Sequence, residues 1–169
     1  AALERPSQRA VNLLRRARRD FYYADWRGEG YGAACISFGG ALWPVGGPRV
    51  AERYFREGLA FEPGSALAHY NLYQLELQHE RYDKALDHLK VAAACDPDRY
   101  EPFDFSLFEL VRILGSGGTG VSFEVEYRGR RLVIKALWDP IDIVDPRPAL
   151  SQLQHLVEVP LSGAEPVYF

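Results

Sequence analysis

The chain has 169 residues, 47% of them hydrophobic and 25% charged, and a net charge of −3 at pH 7. These values suit a globular protein of one or two domains and argue against a general nucleic-acid binder. No apolar run approaches the length that spans a bilayer, and two cysteines are too few for a metal site.

Residues 1–10 lack the apolar core of a signal peptide, so a cytosolic location is expected, with Cys35 and Cys95 reduced and buried in helices. The chain does not begin with methionine and contains none, which leads us to expect a piece of a longer protein. Lysine occurs only at positions 84, 90 and 135, so arginine fills most basic positions.

Ser7 is a good N-cap. Ala10, Leu14, Ala17 and Phe21 come after it on one helical face, which predicts a first amphipathic helix over residues 8–24. Its polar side carries Arg15, Arg16, Arg18 and Arg19. That side reads as a solvated face, with docking of an acidic partner or RNA as the alternative.

Residues 26–47 are rich in glycine and aromatics and are ambiguous between loop and helix when read alone. An internal repeat resolves them. Residues 32–65 and 66–99 align without a gap as two 34-residue units, matching Phe38 to Leu72, Ala51 to Ala85, Phe55 to Leu89, Gly58 to Ala92 and Pro63 to Pro97. Small residues at such positions let paired helices approach while large ones fill the grooves. Pro48 suits the first turn of a helix, while Pro44 and Pro48 together crowd the first unit's turn, and Tyr73 stands where the first unit has Gly39.

This pattern resembles the tetratricopeptide repeat, with a typical stretch at 66–72 and again at 82–85. The resemblance implies a groove lined by the first helix of each unit, where Tyr70, Asn71, Gln74 and Gln78, and also Ser37, would meet a protein or peptide partner. Asn71 would bind its backbone. A short stack that only braces the rest of the chain is the other reading. Two repeats are few for a free-standing stack, so the first helix is expected to cap one end.

Residues 100–107 are too short and too aromatic for a free linker, so the C-terminal segment is expected to pack directly on the helices. Residues 108–114 are apolar enough for a strand. The run Gly115-Ser116-Gly117-Gly118-Thr119-Gly120 forces a turn, and residues 121–128 alternate apolar and polar. Gly129 permits a tight reversal into a third strand at 131–137, giving an antiparallel meander. Glycines at this spacing let backbone N–H groups approach phosphate oxygens, and a lysine on a neighbouring strand adds a compact positive charge.

The glycine-rich hairpin, with Leu132-Val133-Ile134-Lys135 after it, resembles the small lobe of Ser/Thr protein kinases, including bacterial ones with a G-V-T-[FY] sequence similar to residues 120–123. The resemblance implies ATP with magnesium as cofactor. Gly115, Gly117 and Gly120 would cover its phosphates together with Ser116, Gly118 and Thr119. Lys135 would hold the α- and β-phosphates, Leu114 and Val133 would lie over the adenine, and Ser122 would belong to the same cofactor-binding set. Thr119 replaces an aromatic common at the loop tip, and Ser122 a common valine.

Beyond Lys135 the expectations are a helix over 149–157 and a hairpin over 156–169. The family's glutamate partner for the lysine has no counterpart in that helix, which leaves Asp139, Asp142 and Asp145 as substitutes. H-R-D-x-x-x-x-N and D-F-G do not occur, so the resemblance implies a chain that does not catalyse phosphoryl transfer by itself.

The expected fold is therefore α+β: tetratricopeptide-like helical hairpins over 1–99, a connector at 100–107 and a kinase-like small lobe over 108–169. Such a lobe could meet a large lobe or, left uncovered, self-associate. The functional expectation is the regulatory and nucleotide-binding part of a Ser/Thr kinase. The alternative is a non-catalytic interaction module with a degenerate lobe.

Overall fold

The computed structural model of the chain describes residues 8–23 and 27–137. Within them the fold is α+β, with six helices and one three-stranded antiparallel sheet. The expected helix at 149–157, the hairpin at 156–169 and Asp139, Asp142 and Asp145 lie outside the described residues. The chain divides into one unit of residues 2–75 with 88–100 and another of residues 76–87 with 101–169.

Helix α1 (Gln8–Tyr23) is anchored by Phe21, which stacks on Tyr31 at 5.5 Å and meets Phe38 at 5.2 Å and Tyr54 at 6.0 Å. Helix α2 (Tyr31–Gly46) begins after Gly30, whose φ of 77° would strain any other residue. Its exposed N-terminal donors are met from the far end of the next helix, where Glu62 Oε1 accepts the Ala33 N–H at 2.8 Å. Pro44 does not lie in the turn as expected; it sits inside the last turn of α2, and Gly47 alone makes the connection, with φ 78°. Helix α3 (Pro48–Phe61) then starts on the expected proline, whose missing N–H costs nothing in a first turn.

Helices α4 (Ala66–Gln78) and α5 (Tyr82–Cys95) come next. Both ends of α5 fall 34 residues after the corresponding ends of α3. The aligned positions share a packing role: Ala51 and Ala85, Phe55 and Leu89, and Gly58 and Ala92 are all buried. Small residues here are a steric requirement, because a Cβ on Gly58 would lie 2.5 Å from Ile36 Cγ1 and one on Gly39 would lie 2.7 Å from the Phe55 ring. Ile36, Ala51, Phe55, Ala68, Leu72 and Leu75 form one core cluster, and Tyr31, Cys35, Leu42 and Tyr54 another. A fully buried Phe or Leu in such a cluster contributes about 2 kcal/mol. Cys35 is buried as expected, whereas Cys95 is exposed, since it ends α5 beyond the packed stretch; both are free thiols.

In the other unit, the turn between α4 and α5 is closed by the Arg81 N–H donating to Glu76 O at 2.9 Å, with Glu80 in the left-handed region at φ 56°. A four-residue helix, α6 (Pro97–Tyr100), precedes the connector. There Asp104 Oδ1 accepts from the Ser106 hydroxyl at 2.6 Å and from the backbone N–H groups of Ser106 and Leu107 at 2.8 and 3.2 Å, which hold its carboxyl below the usual range. Phe103 packs edge-on against Phe123 at 5.3 Å, so the connector covers one face of the sheet.

That sheet comprises β1 (Glu109–Gly117), β2 (Gly120–Tyr127) and β3 (Arg130–Leu137) in the order β1-β2-β3. The β2–β3 reversal uses Arg128 at φ 50° and Gly129 at φ 75°, the paired positive angles of a two-residue hairpin that matches strand twist. Alternation sends Val121, Phe123, Val125, Leu132 and Ile134 to the buried face together with Leu110 and Ile113.

Candidate functional site

Of the residues expected to meet a nucleotide, the opposite face of the sheet carries Gly115, Ser122, Val133 and Lys135, whereas Ser116 pairs with Val121 in a row of the buried face. Pairing places Gly115, Ser122 and Lys135 in one row across all three strands, and Arg112, Glu124 and Val133 in the next on the same face. Ser122, Val133 and Lys135 are each half-buried there. Leu114 does not take a place in these rows. It falls in a register irregularity of β1 between Ile113 and Gly115 and is exposed.

Pairing of β1 and β2 continues up to Gly117 with Gly120, so the tip is reduced to Gly118 and Thr119. The glycines differ in what demands them. Gly120 has φ +148°, and a Cβ on it would collide with the backbone of β3. At Gly115, Gly117 and Gly118 an added Cβ would meet nothing within 4 Å, and none of them has positive φ. The sheet needs Gly120. The other three leave open space along the strand end nearest the Lys135 row.

Electrostatics set Lys135 apart. Arg112 Nε lies 2.5 Å from Glu124 Oε2, and Arg131 reaches Glu124 Oε1 and Glu126 Oε2 at 3.4 Å each, so these arginines are matched by carboxylates. Among the described residues the Lys135 ammonium makes no ion pair or hydrogen bond. A half-buried lysine on a strand, two pairing rows from the row that closes on the glycine-rich tip, can serve an anion. The arginine–glutamate network beside it escaped the sequence reading, although alternation already puts Ser122, Glu124 and Glu126 on one face.

The residues expected to bind a peptide lie on α4. Tyr70, Asn71 and Gln74 are half-buried and Gln78 is exposed, while Ser37 is exposed on α2. Tyr70 is engaged by its neighbours, with ring centroids 5.5 Å from Tyr73 and 4.8 Å from Tyr100. The histidines show one contact that sequence spacing did not reveal: His69 Nδ1 and His88 Nδ1 are 2.9 Å apart, and His69 Nε2 is 3.0 Å from Pro63 O. His155 lies outside the described residues.

Among the described residues there is no group of three or more side chains able to hold a metal ion, and no helix is long and apolar enough to cross a membrane. No protein-family model matches the chain, and no curated protein matches it.

Proposed function

We propose that the sheet is the nucleotide-covering part of a Ser/Thr protein kinase-like small lobe and that the helical region is a tetratricopeptide-like scaffold carried with it. The observation that supports this reading best is the Gly115–Ser122–Lys135 row, with an ammonium that has no ion partner among the described residues. ATP would lie against that face. Ser122 and Val133 would meet the base, Lys135 its α- and β-phosphates, and Gly115, Ser116, Gly117, Gly118 and Thr119 would cover the phosphate chain. Magnesium would accompany the ATP, held by residues outside this chain's motifs, since neither D-F-G nor H-R-D-x-x-x-x-N occurs in the sequence. Phosphoryl transfer would need a large lobe to supply them. Leu114 and Leu137, both exposed on the sheet, would then be partly covered by that partner or by self-association.

Titration of the chain with ATP, with and without magnesium, tests the reading. Binding is expected, with a loss of about tenfold in Lys135→Ala, the size of one charge-assisted hydrogen bond. Gly117→Val should weaken it further by filling the space the phosphates need. Absence of binding at millimolar ATP, or equal binding by parent and both variants, overturns it.

A second reading draws on the 34-residue offset of α3 and α5. In it the chain is a non-catalytic interaction module that takes a peptide across Tyr70, Asn71, Gln74 and Gln78. Loss of a captured peptide on Asn71→Ala, with no ATP binding by the parent, would favour that reading over the first.

A further inference from the structure

The helical unit holds an open cleft of about 570 Å³ between α1 and α3, lined by Arg15, Arg18, Arg19, Tyr23, Val50, Arg53 and Tyr54. Four guanidinium groups thus converge on one depression in a chain whose net charge is −3. No carboxylate is among the lining residues. Asp20, which does not line the cleft, pairs with the lining Arg19 at 3.3 Å and with Arg16 at 3.9 Å, so Arg19 is already matched by a carboxylate. Among the described residues Arg15 and Arg18 make no ion pair.

Tyr54 supplies an independent indication. It is only 6% exposed, packed edge-on against Phe38 at 5.2 Å, yet it lines the cleft. Among the described residues its hydroxyl has no hydrogen-bond partner, and no fully buried side-chain polar atom is left unsatisfied. The hydroxyl therefore opens onto accessible space, and the cleft is the space this residue borders. A nine-tenths buried phenol with its hydroxyl unbonded is a donor available to an oxyanion; burial is the largest influence on it, Arg18 and Arg53 lie close enough for their charges to act on it, and Glu57 and Cys35 act in the opposite sense.

We infer that this cleft binds a phosphorylated side chain of a peptide, with the phosphate held by Arg15, Arg18 and Arg53 and by the Tyr54 hydroxyl. The guanidinium fork matches both carboxylate and phosphate. Charge decides between them: a carboxylate offers one negative charge and two oxygens, whereas a phosphomonoester offers nearly two charges and three acceptor oxygens to a cleft whose lining holds four arginines and no carboxylate. Four arginines line this single depression, a number that one phosphate can engage, whereas a nucleic-acid backbone presents repeated phosphates along its length. Tyr23, 77% exposed at the rim, can contact residues flanking the phosphate.

The test presents the whole chain to an array of phosphoserine peptides with varied flanks, to the same peptides with serine or glutamate in place of phosphoserine, and to an oligouridine RNA. Binding of phosphoserine peptides at least tenfold tighter than the serine and glutamate versions is expected. Arg18→Gln and Arg53→Gln should each weaken it by about tenfold. Arg128→Gln, which changes net charge equally from the β2–β3 turn, should leave it unchanged. Thermal melts confirm that the variants stay folded, as an exposed Arg18 predicts. Equal binding of the glutamate peptides, tighter binding of RNA, an equal loss in Arg128→Gln, or no phosphopeptide bound overturns the inference.

Discussion

Gly120 approaches Ala136 so closely that a Cβ on the glycine would lie 2.1 Å from the alanine's carbonyl oxygen, and its φ of +148° is one that side chains rarely adopt. The hairpin tip is therefore pinned to β3 by backbone. Gly120→Ala should destabilise the sheet by about 3 kcal/mol, from overpacking and strain together. Gly117→Ala meets nothing within 4 Å and should change stability by less than about 0.5 kcal/mol. Urea unfolding of the two variants checks the contrast. Any loss of nucleotide affinity in Gly117→Ala then reports on the ligand's approach and not on folding.

This division among the glycines marks how far the sequence could be read. Alternation over 121–128 and the reversal at Gly129 depend only on neighbouring residues, and the sheet obeys them strand by strand. The 34-residue offset likewise agrees with the ends of α3 and α5 and with the burial of Ala51, Gly58, Ala85 and Ala92. The features that stayed hidden depend on which faces meet. Arg53 reaches the arginines of α1 across the cleft, His69 reaches His88, and Glu76 is buried beside Arg81. Each is a tertiary consequence that no period along the chain encodes. Cys95 misled for a related reason: a helical pattern says nothing of where packing ends.

Tyr73, which replaces Gly39 of the first repeat unit, is 3% exposed. Burial, and secondarily the neighbouring Tyr70, push its phenol well above the usual tyrosine value. The folded state thus holds this proton more tightly than the unfolded chain does. The associated stability is complete below about pH 10, the ordinary tyrosine value, and is lost as pH rises above it. Tyr73→Phe removes the titrating group, so its alkaline unfolding midpoint should lie at higher pH than that of the parent. Far-UV circular dichroism across pH 8–12 reads the difference, and an unchanged midpoint would show that other groups drive alkaline unfolding.

Glu76 is a carboxylate at 1% exposure in the last turn of α4, where the helix dipole disfavours negative charge. Its ion pair with Arg81 compensates both costs. Arg81→Ala should therefore cost about 2 kcal/mol, mostly through loss of this ion pair at a buried carboxylate. Glu76→Gln in the same background should recover part of that loss, since the amide carries no charge. Chemical denaturation of the single and double variants gives the coupling; additive costs would mean that Arg81 acts only through its packing.

Gly58 offers a test in which local and tertiary preferences oppose each other. In an isolated helix alanine is favoured over glycine by about 1 kcal/mol. Here a Cβ would lie 2.5 Å from Ile36 Cγ1 and 3.0 Å from the carbonyl oxygen of Gly32, so α2 would have to move away from α3. Both contacts lie in the helical core, where Ile36 packs with Ala51 and Phe55. Gly58→Ala is expected to destabilise by about 2 kcal/mol, the scale of overpacking, despite the helix gain. Ile36→Ala removes the closest atom, so the double variant should be less destabilised than the sum of the two single ones, by at least about 0.5 kcal/mol. Thermal melts of the four proteins decide it: a stabilised Gly58→Ala would mean that the helices separate freely and that the small residue at this place in the repeat has no packing role.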